Sequence, residues 1–223
     1  MIYEWKGKIR RSGMLILDLF FPRTCVGCGK NKTSLCHACL ADISASHENL
    51  PTWIRARYSY KNPVIRTSIW HLKYKNNHDI ARVYGRALYD MILEDISETA
   101  LFENRAVYLV PIPLSRKRMN ERGYNQAELL VRALLALDTD HAFQNGEKFL
   151  KRRDTENRQS HVKNKQARLK NIVDSFEVRG PLPEHAHFIL IDDVVTTGAT
   201  LREARKTLLT AGVKKISAYA VAH

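Results

Sequence analysis

The sequence predicts an α/β fold, a mostly parallel sheet flanked by helices with a small cysteine-rich module ahead of it, and three observations carry that reading. The runs Val107-Tyr108-Leu109-Val110 and Phe188-Ile189-Leu190-Ile191 are short, apolar and rich in β-branched residues, and each breaks off at turn formers, as buried strands do. Each is followed by an amphipathic helical pattern, and strand alternating with helix is the signature of a parallel sheet. All four cysteines fall between positions 25 and 39, before the first strand pattern. A chain of 223 residues accommodates one good-sized core and a small appendage. The division expected is 1–50 for an N-terminal helix and cysteine module and 51–223 for the α/β domain, two cores separate in sequence.

At the N-terminus, Lys6, Lys8, Arg10 and Arg11 precede Met14-Leu15-Ile16-Leu17 and imitate a secretory leader. Asp18 interrupts the apolar run and no small-residue cleavage site follows, so a short amphipathic helix is expected instead, with a membrane-surface role as the alternative. No run is long enough to span a bilayer, and a cytoplasmic location is the expectation. With 36 Lys and Arg against 23 Asp and Glu, the formal net charge of +13 favours polyanionic partners such as nucleic acid or nucleotides.

Cys25-Val26-Gly27-Cys28 and Cys36-His37-Ala38-Cys39 are two Cys-x-x-Cys knuckles separated by seven residues. That spacing brings four thiolates into a tetrahedron, and structural Zn²⁺ held by Cys25, Cys28, Cys36 and Cys39 is the reading, against disulfides or a redox pair. His37 is a substitute ligand by type, but four cysteines already close the shell, which leaves no position for catalysis.

Beyond a polar connector, Arg57-Tyr58-Ser59-Tyr60 is expected as the first strand. Asn62-Pro63 opens a helix with Val64, Ile65, Ile69 and Leu72 as its apolar positions. A second helix over 79–94 buries Ile80, Val83, Leu88 and Ile92. The basic, aromatic stretch from Lys73 through Tyr74 to His78 reads as a solvated loop or as an anion-contacting one. The strand over 106–113 ends at prolines and runs into Ser115, Arg116, Lys117, Arg118, Arg122, Gly123, Tyr124, Asn125 and Gln126. A basic segment at the carboxyl end of a core strand suits a pyrophosphate, with Arg116 and Arg118 as the ligand candidates. A helix burying Leu129, Leu130, Ala133, Leu134 and Leu137 follows. In 151–170 eight Lys and Arg stand against Asp154 and Glu156, either a solvated face or a DNA-contacting segment, with Arg152, Arg153, Lys163 and Lys165 as nucleic-acid candidates. Short strands over 176–178 and 216–221 complete the pattern, with strand order not readable.

The stretch around Asp192-Asp193-Val194-Val195-Thr196-Thr197-Gly198-Ala199-Thr200 carries the chemistry. Two carboxylates end a strand, a small hydroxyl-rich turn follows, and a helix begins, with Leu201, Ala204, Leu208 and Ala211 expected inside and Arg202, Glu203, Arg205 and Lys206 outside. The free N–H groups of a helix N-terminus suit a phosphate. The acidic pair suits ribose hydroxyls or Mg²⁺, and the sum is the chemistry of a phosphorylated pentose.

These residues resemble the phosphoribosyl-pyrophosphate motif of type I phosphoribosyltransferases. Together with Val110-Pro111-Ile112-Pro113-Leu114, Arg122-Gly123-Tyr124-Asn125-Gln126 and the cysteine module, the chain from about residue 17 to 222 resembles the ComF family. The resemblance implies a phosphoribosyltransferase type I sheet with an N-terminal four-cysteine zinc module. It implies that Asp192 and Asp193 hold the ribose 2′- and 3′-hydroxyls and that Thr196, Thr197, Gly198, Ala199 and Thr200 cradle the 5′-phosphate. It implies a phosphoribosyl-pyrophosphate-binding protein acting in competence, DNA uptake and transformation, with Mg²⁺ accompanying the ligand, single-stranded DNA as a partner and a DNA-uptake ATPase or helicase as another. Whether pentosyl transfer is retained stays open at this point. The alternatives are a non-enzymatic single-stranded-DNA-binding adaptor that keeps the sugar-phosphate pocket, and a nucleobase salvage phosphoribosyltransferase.

Overall fold

The computed structural model describes residues 23–43, 50–100, 105–153 and 174–223. The N-terminal helix expected before residue 22 and most of the basic stretch 151–170, including Lys163 and Lys165, lie outside them. The described chain runs α1 (His37–Ala41), β1 (Ile54–Tyr58), α2 (Pro63–Tyr74), α3 (His78–Ala100), β2 (Val107–Pro111), α4 (Arg116–Arg122) and α5 (Gln126–Leu135). It continues with β3 (Phe143–Asn145), a 3₁₀ turn (Glu147–Phe149), β4 (Leu150–Arg152), β5 (Phe176–Val178), β6 (His187–Val194), α6 (Ala199–Thr210) and β7 (Lys215–Ala222).

Five strands form one sheet in the order β1-β7-β6-β2-β3, every neighbour parallel. Side chains alternate across a strand, and the alternation divides the core. Leu109, Ile189, Ile191, Tyr219 and Val221 face α2, α3 and α5, while Val110, Phe188, Leu190, Ala218 and Ala220 face α6 and the residues around Phe149 and Phe176. Strands buried on both faces read as unbroken apolar runs, which is why β2 and β6 are so plain in the sequence. β4 and β5 pair with each other, antiparallel, as a two-stranded ribbon apart from the main sheet.

The connections explain where a ligand site falls. From β2 the chain turns outward to β3 through α5 on one face. From the adjacent β6 it turns the opposite way to β7 through α6 on the other face. Neighbouring strands whose connections diverge leave a crevice at their carboxyl ends.

Three local expectations differ from the structure. β1 begins at Ile54, three residues before the expected start, because its partner β7 offers a register from Ala218 to Ala222 that Ile54 to Tyr58 fill. Tyr60 therefore lies beyond the strand. On α6 Glu203 is buried and accepts the Asp174 N–H at 2.7 Å, while Ala211 is exposed, so the apolar face is rotated towards Glu203. The basic segment after Ser115, assigned no element from the sequence, folds into α4: the Ser115 hydroxyl caps it by accepting from the Arg118 N–H, and Gly123 closes it in the left-handed conformation at φ 75°.

Candidate functional site

The cysteine cluster forms first in sequence. Sγ atoms of Cys25, Cys28, Cys36 and Cys39 all lie within 4.8 Å of one another, with Cys28 and Cys36 at 3.7 Å. Tetrahedral zinc with Zn–S bonds of ~2.3 Å requires sulfurs ~3.8 Å apart, so the four residues fit a structural metal such as zinc. Burial raises the Cys25 thiol, but N–H groups of Cys28, Cys36 and Gly27 aim at its sulfur and bring it down to about 6. Hydrogen bonding to Cys36 and Cys28 holds the Cys39 thiol up at about 12. The Cys25 thiol, which ionises readily, and the Cys39 thiol, which holds its proton, are donors that exchange protons for a cation.

This module docks on the turn between α2 and α3. Asn77 caps α3 by accepting from the N–H groups of Asp79 and Ile80, and its side-chain amide donates to the Ser34 hydroxyl at 3.0 Å. Asp79 accepts from the Ser34 N–H and pairs with Arg23 at 3.1 Å. Leu35 and Leu40 then join the apolar cluster of Ile65, Ile69, Leu72 and Ile80.

The cleft, about 990 Å³, opens at the carboxyl ends of β2 and β6. Asp192 and Asp193 line it together with the turn from Val194 to Leu201 and with Ile112, Pro113, Leu114, Arg118, Arg122 and Gln126. Lys73, Tyr60 and Arg152 of the ribbon complete the lining.

The two carboxylates have different surroundings. Asp193 is buried, its Oδ2 lies 2.9 Å from Lys73 Nζ, and its Oδ1 accepts from the Val194 N–H and from the Gln126 amide. Asp192 is half-buried, and its Oδ1 accepts the Asp193 N–H at 2.8 Å. Burial, then the adjacent Asp193 carboxylate, hold the Asp192 carboxyl well above the ordinary carboxylate range. Like charges side by side resist ionising together, and Lys73, which pairs with Asp193, offsets this only in part at Asp192.

Gly198 takes φ 70° to start α6, a conformation costly for any residue with a Cβ, and Thr196 and Thr197 are exposed around it. Arg202 donates to the Thr197 carbonyl at 2.6 Å and steadies the turn. The first turn of α6 lines the cleft together with Thr196, Thr197 and Thr200, and the Thr197 hydroxyl accepts the Ala199 N–H at 3.4 Å. The ribbon brings Arg152 into the same cleft. Burial, then the like charge of Arg118, lower its pKa, and Asp192 opposes the fall. Guanidinium groups gathered in one cleft make an anion site.

Asp192, Asp193, Thr196, Thr197, Gly198, Ala199, Thr200 and Arg118 all line this one cleft. Arg116 does not. It lines an adjoining cleft of about 750 Å³ that shares Pro113, Leu114 and Arg152 with the first. There burial, then the Glu147 carboxylate, push Glu128 up. Arg153, singled out for nucleic acid, sits 3.8 Å from Glu177 on the exposed ribbon. Sequence reasoning missed Lys73 as the partner of Asp193 and Gln126 as its amide donor; contacts made across 120 and 67 residues leave no trace in spacing.

An open parallel sheet with a charged cleft at a topological switch point defines the class: an α/β protein with an N-terminal four-cysteine cluster whose geometry fits a metal such as zinc. No family model matches the chain. It is 31% identical over 161 residues to competence protein ComFC of Bacillus subtilis, a match covering 71% of this chain and 58% of that protein's length. It is 28% identical over 208 residues, 89% of both chains, to competence protein F of Haemophilus influenzae. It is 27% identical over 209 residues to DNA utilization protein YhgH of Escherichia coli K12, covering 87% of this chain and 86% of the relative. These similarities, which extend over most of the chain, support a ComF family protein.

Proposed function

We propose that this chain acts in DNA uptake or use, as the names of its relatives indicate, and that its cleft binds phosphoribosyl pyrophosphate or a similar sugar phosphate. The observation that carries the second part is the gathering of Asp192, the Thr196 to Thr200 turn, Arg118 and Arg152 around one cleft. In this reading the helix N-terminus and threonine hydroxyls take the 5′-phosphate. Asp192 meets ribose hydroxyls, and the arginines take the pyrophosphate. Mg²⁺ bound with the ligand supplies neutralisation of the pyrophosphate charge. If pentosyl transfer occurs, the bond from the anomeric carbon to pyrophosphate breaks as the bond to an acceptor forms, and the chain contributes positioning and charge stabilisation. The adjoining cleft with Glu128 is the place this reading gives the acceptor.

A non-enzymatic adaptor that uses the cleft as a sensor is the second reading. The Lys73–Asp193 ion pair favours it, since it leaves one carboxylate of the pair already neutralised inside the protein. The proposed organisation keeps residues 1–50 as the metal module and 51–223 as the ligand-binding domain, in a cytoplasmic protein with single-stranded DNA and a DNA-uptake ATPase or helicase as partners. No helix among the described residues is long and apolar enough to cross a membrane.

Titration calorimetry with phosphoribosyl pyrophosphate and Mg²⁺ tests the cleft: wild type binds, and Asp192→Ala and Thr197→Val lose affinity without losing stability. Unchanged affinity in both variants refutes the cleft assignment. Pyrophosphate release with a panel of acceptors separates the enzyme from the adaptor.

A further inference from the structure

We propose that Trp70 and Tyr74 form a base-stacking platform for single-stranded nucleic acid at the lip of the cleft, with Lys75 and Arg122 serving its phosphates. This deepens the DNA-handling reading and rests on it, adding where a strand is held and by what chemistry. Trp70 and Tyr74 lie four residues apart on α2 and therefore share one face of the helix. Their ring centroids are 5.7 Å apart with the planes tilted by 44°. They are the most exposed large apolar side chains among the described residues, at 48% and 54%, while the opposite face of α2 is fully buried at Ile65, Ile69 and Leu72. The core demands of this helix are met without them, and two adjacent aromatic rings left in water mark a contact surface.

The charge around the rings identifies the occupant. Lys75 Nζ lies 5.4 Å from the centre of the Trp70 ring and Arg122 Cζ lies 5.2 Å from that of Tyr74. Aromatic faces interleaved with cations are the composition of sites that bind single strands without reading sequence. An acidic peptide uses the cations but has no flat ring to lay on Trp70 and Tyr74, and a duplex keeps its bases stacked on one another. At exposed rings a cation–π contact is weaker than base stacking, so the flexible Lys75 and Arg122 side chains yield the ring faces to bases and turn to phosphates. Arg122 also donates to Gln126 Oε1 at 2.7 Å, and Gln126 donates to Asp193, so a strand on Tyr74 lies beside the acidic pair of the cleft.

The test is fluorescence anisotropy of a labelled oligodeoxythymidine at low salt with the full chain, comparing wild type with Trp70→Ala/Tyr74→Ala and with Lys75→Gln. Both rings are exposed, so the double variant keeps its melting temperature. The expected result is a loss of affinity of roughly 5- to 150-fold for each stacked base, with an unchanged slope of log affinity against log salt. Lys75→Gln should instead flatten that slope by about 0.7. Wild type that binds, with a double variant that binds equally well, overturns the platform and leaves the DNA reading standing. Wild type that fails to bind overturns both. An abasic oligomer held as tightly as oligodeoxythymidine overturns base stacking, and an acidic peptide held as tightly and released by the same double substitution overturns the class of partner.

Discussion

The cysteine cluster and the cleft both gather reactive side chains, but they are assembled over very different distances along the chain. Four cysteines within fifteen positions meet because two tight knuckles turn them together, and the sulfurs come within 4.8 Å with little help from the rest of the fold. The cleft draws Lys73 from α2, Arg118 from α4, Gln126 from α5, Arg152 from the ribbon and Asp192 from β6. A local site depends on its ligands and a metal, whereas a distributed site depends on every helix end that aims a side chain into it. Between them stands the α2–α3 junction, where Asn77 and Asp79 hold Ser34 of the module on one side and Lys73 reaches the cleft on the other.

Removing metal gives the largest effect expected. A structural zinc contributes about 10–16 kcal/mol in peptides whose folding depends on it, and here the loss falls on residues 23–43 and on the apolar cluster that Leu35 and Leu40 share with α2 and α3. Chelation, or Cys36→Ser, should abolish hydrogen-exchange protection across 23–43 while the central strands stay protected. Protection that survives complete chelation means packing alone holds the module, and the contrast between the two sites disappears.

Lys73→Met comes next. It strands the buried Asp193 carboxylate beside Asp192 and should cost about 2–4 kcal/mol in urea unfolding, with much of it restored by Lys73→Met/Asp193→Asn. Equal losses in the single and double variants would show the ion pair to be incidental.

Tyr124→Phe is expected to cost about 1–2 kcal/mol. The Tyr124 hydroxyl donates to the Leu72 carbonyl and accepts the Asn76 N–H at 2.8 Å, closing the end of α2 just beside Lys73. A phenylalanine that leaves stability unchanged would mean water closes that helix end equally well.

The smallest effect concerns pH. Asp192 has a raised pKa in the fold, so the folded protein holds a proton that the unfolded chain gives up near 3.8. Stability from this group is fully present below that value and is lost as pH climbs towards the folded pKa, by about 1.4 kcal/mol for each unit of difference. Asp192 is only half-buried, so solvent screening keeps this effect below the others. Asp192→Asn should remove this falling limb and raise the melting temperature at neutral pH. A melting temperature in that variant that still falls with pH above about 4 in the same way would assign the limb to another group.

The segment Arg122-Gly123-Tyr124-Asn125-Gln126 shows how a short motif encodes tertiary work. Arg122 bonds Gln126 and covers Tyr74, Gly123 ends α4, Tyr124 closes α2, Asn125 caps α5 and bonds the Ile112 carbonyl, and Gln126 reaches Asp193. Its basic and polar composition was legible. Its destinations were not, since most of them lie on other elements.

By itself the sequence determined the α/β class, the apolar runs of β2 and β6, the cysteine tetrad and the position of the acidic pair before a helix start. Each is a matter of near-neighbour spacing, which backbone geometry translates directly into structure. Tertiary structure alone decided the strand order, the burial of Glu203, the placement of Arg116 in the adjoining cleft and the neutralisation of Asp193 by Lys73. Those depend on which segments the sheet brings together, and a parallel sheet joins strands whose separation along the chain carries no record of their adjacency.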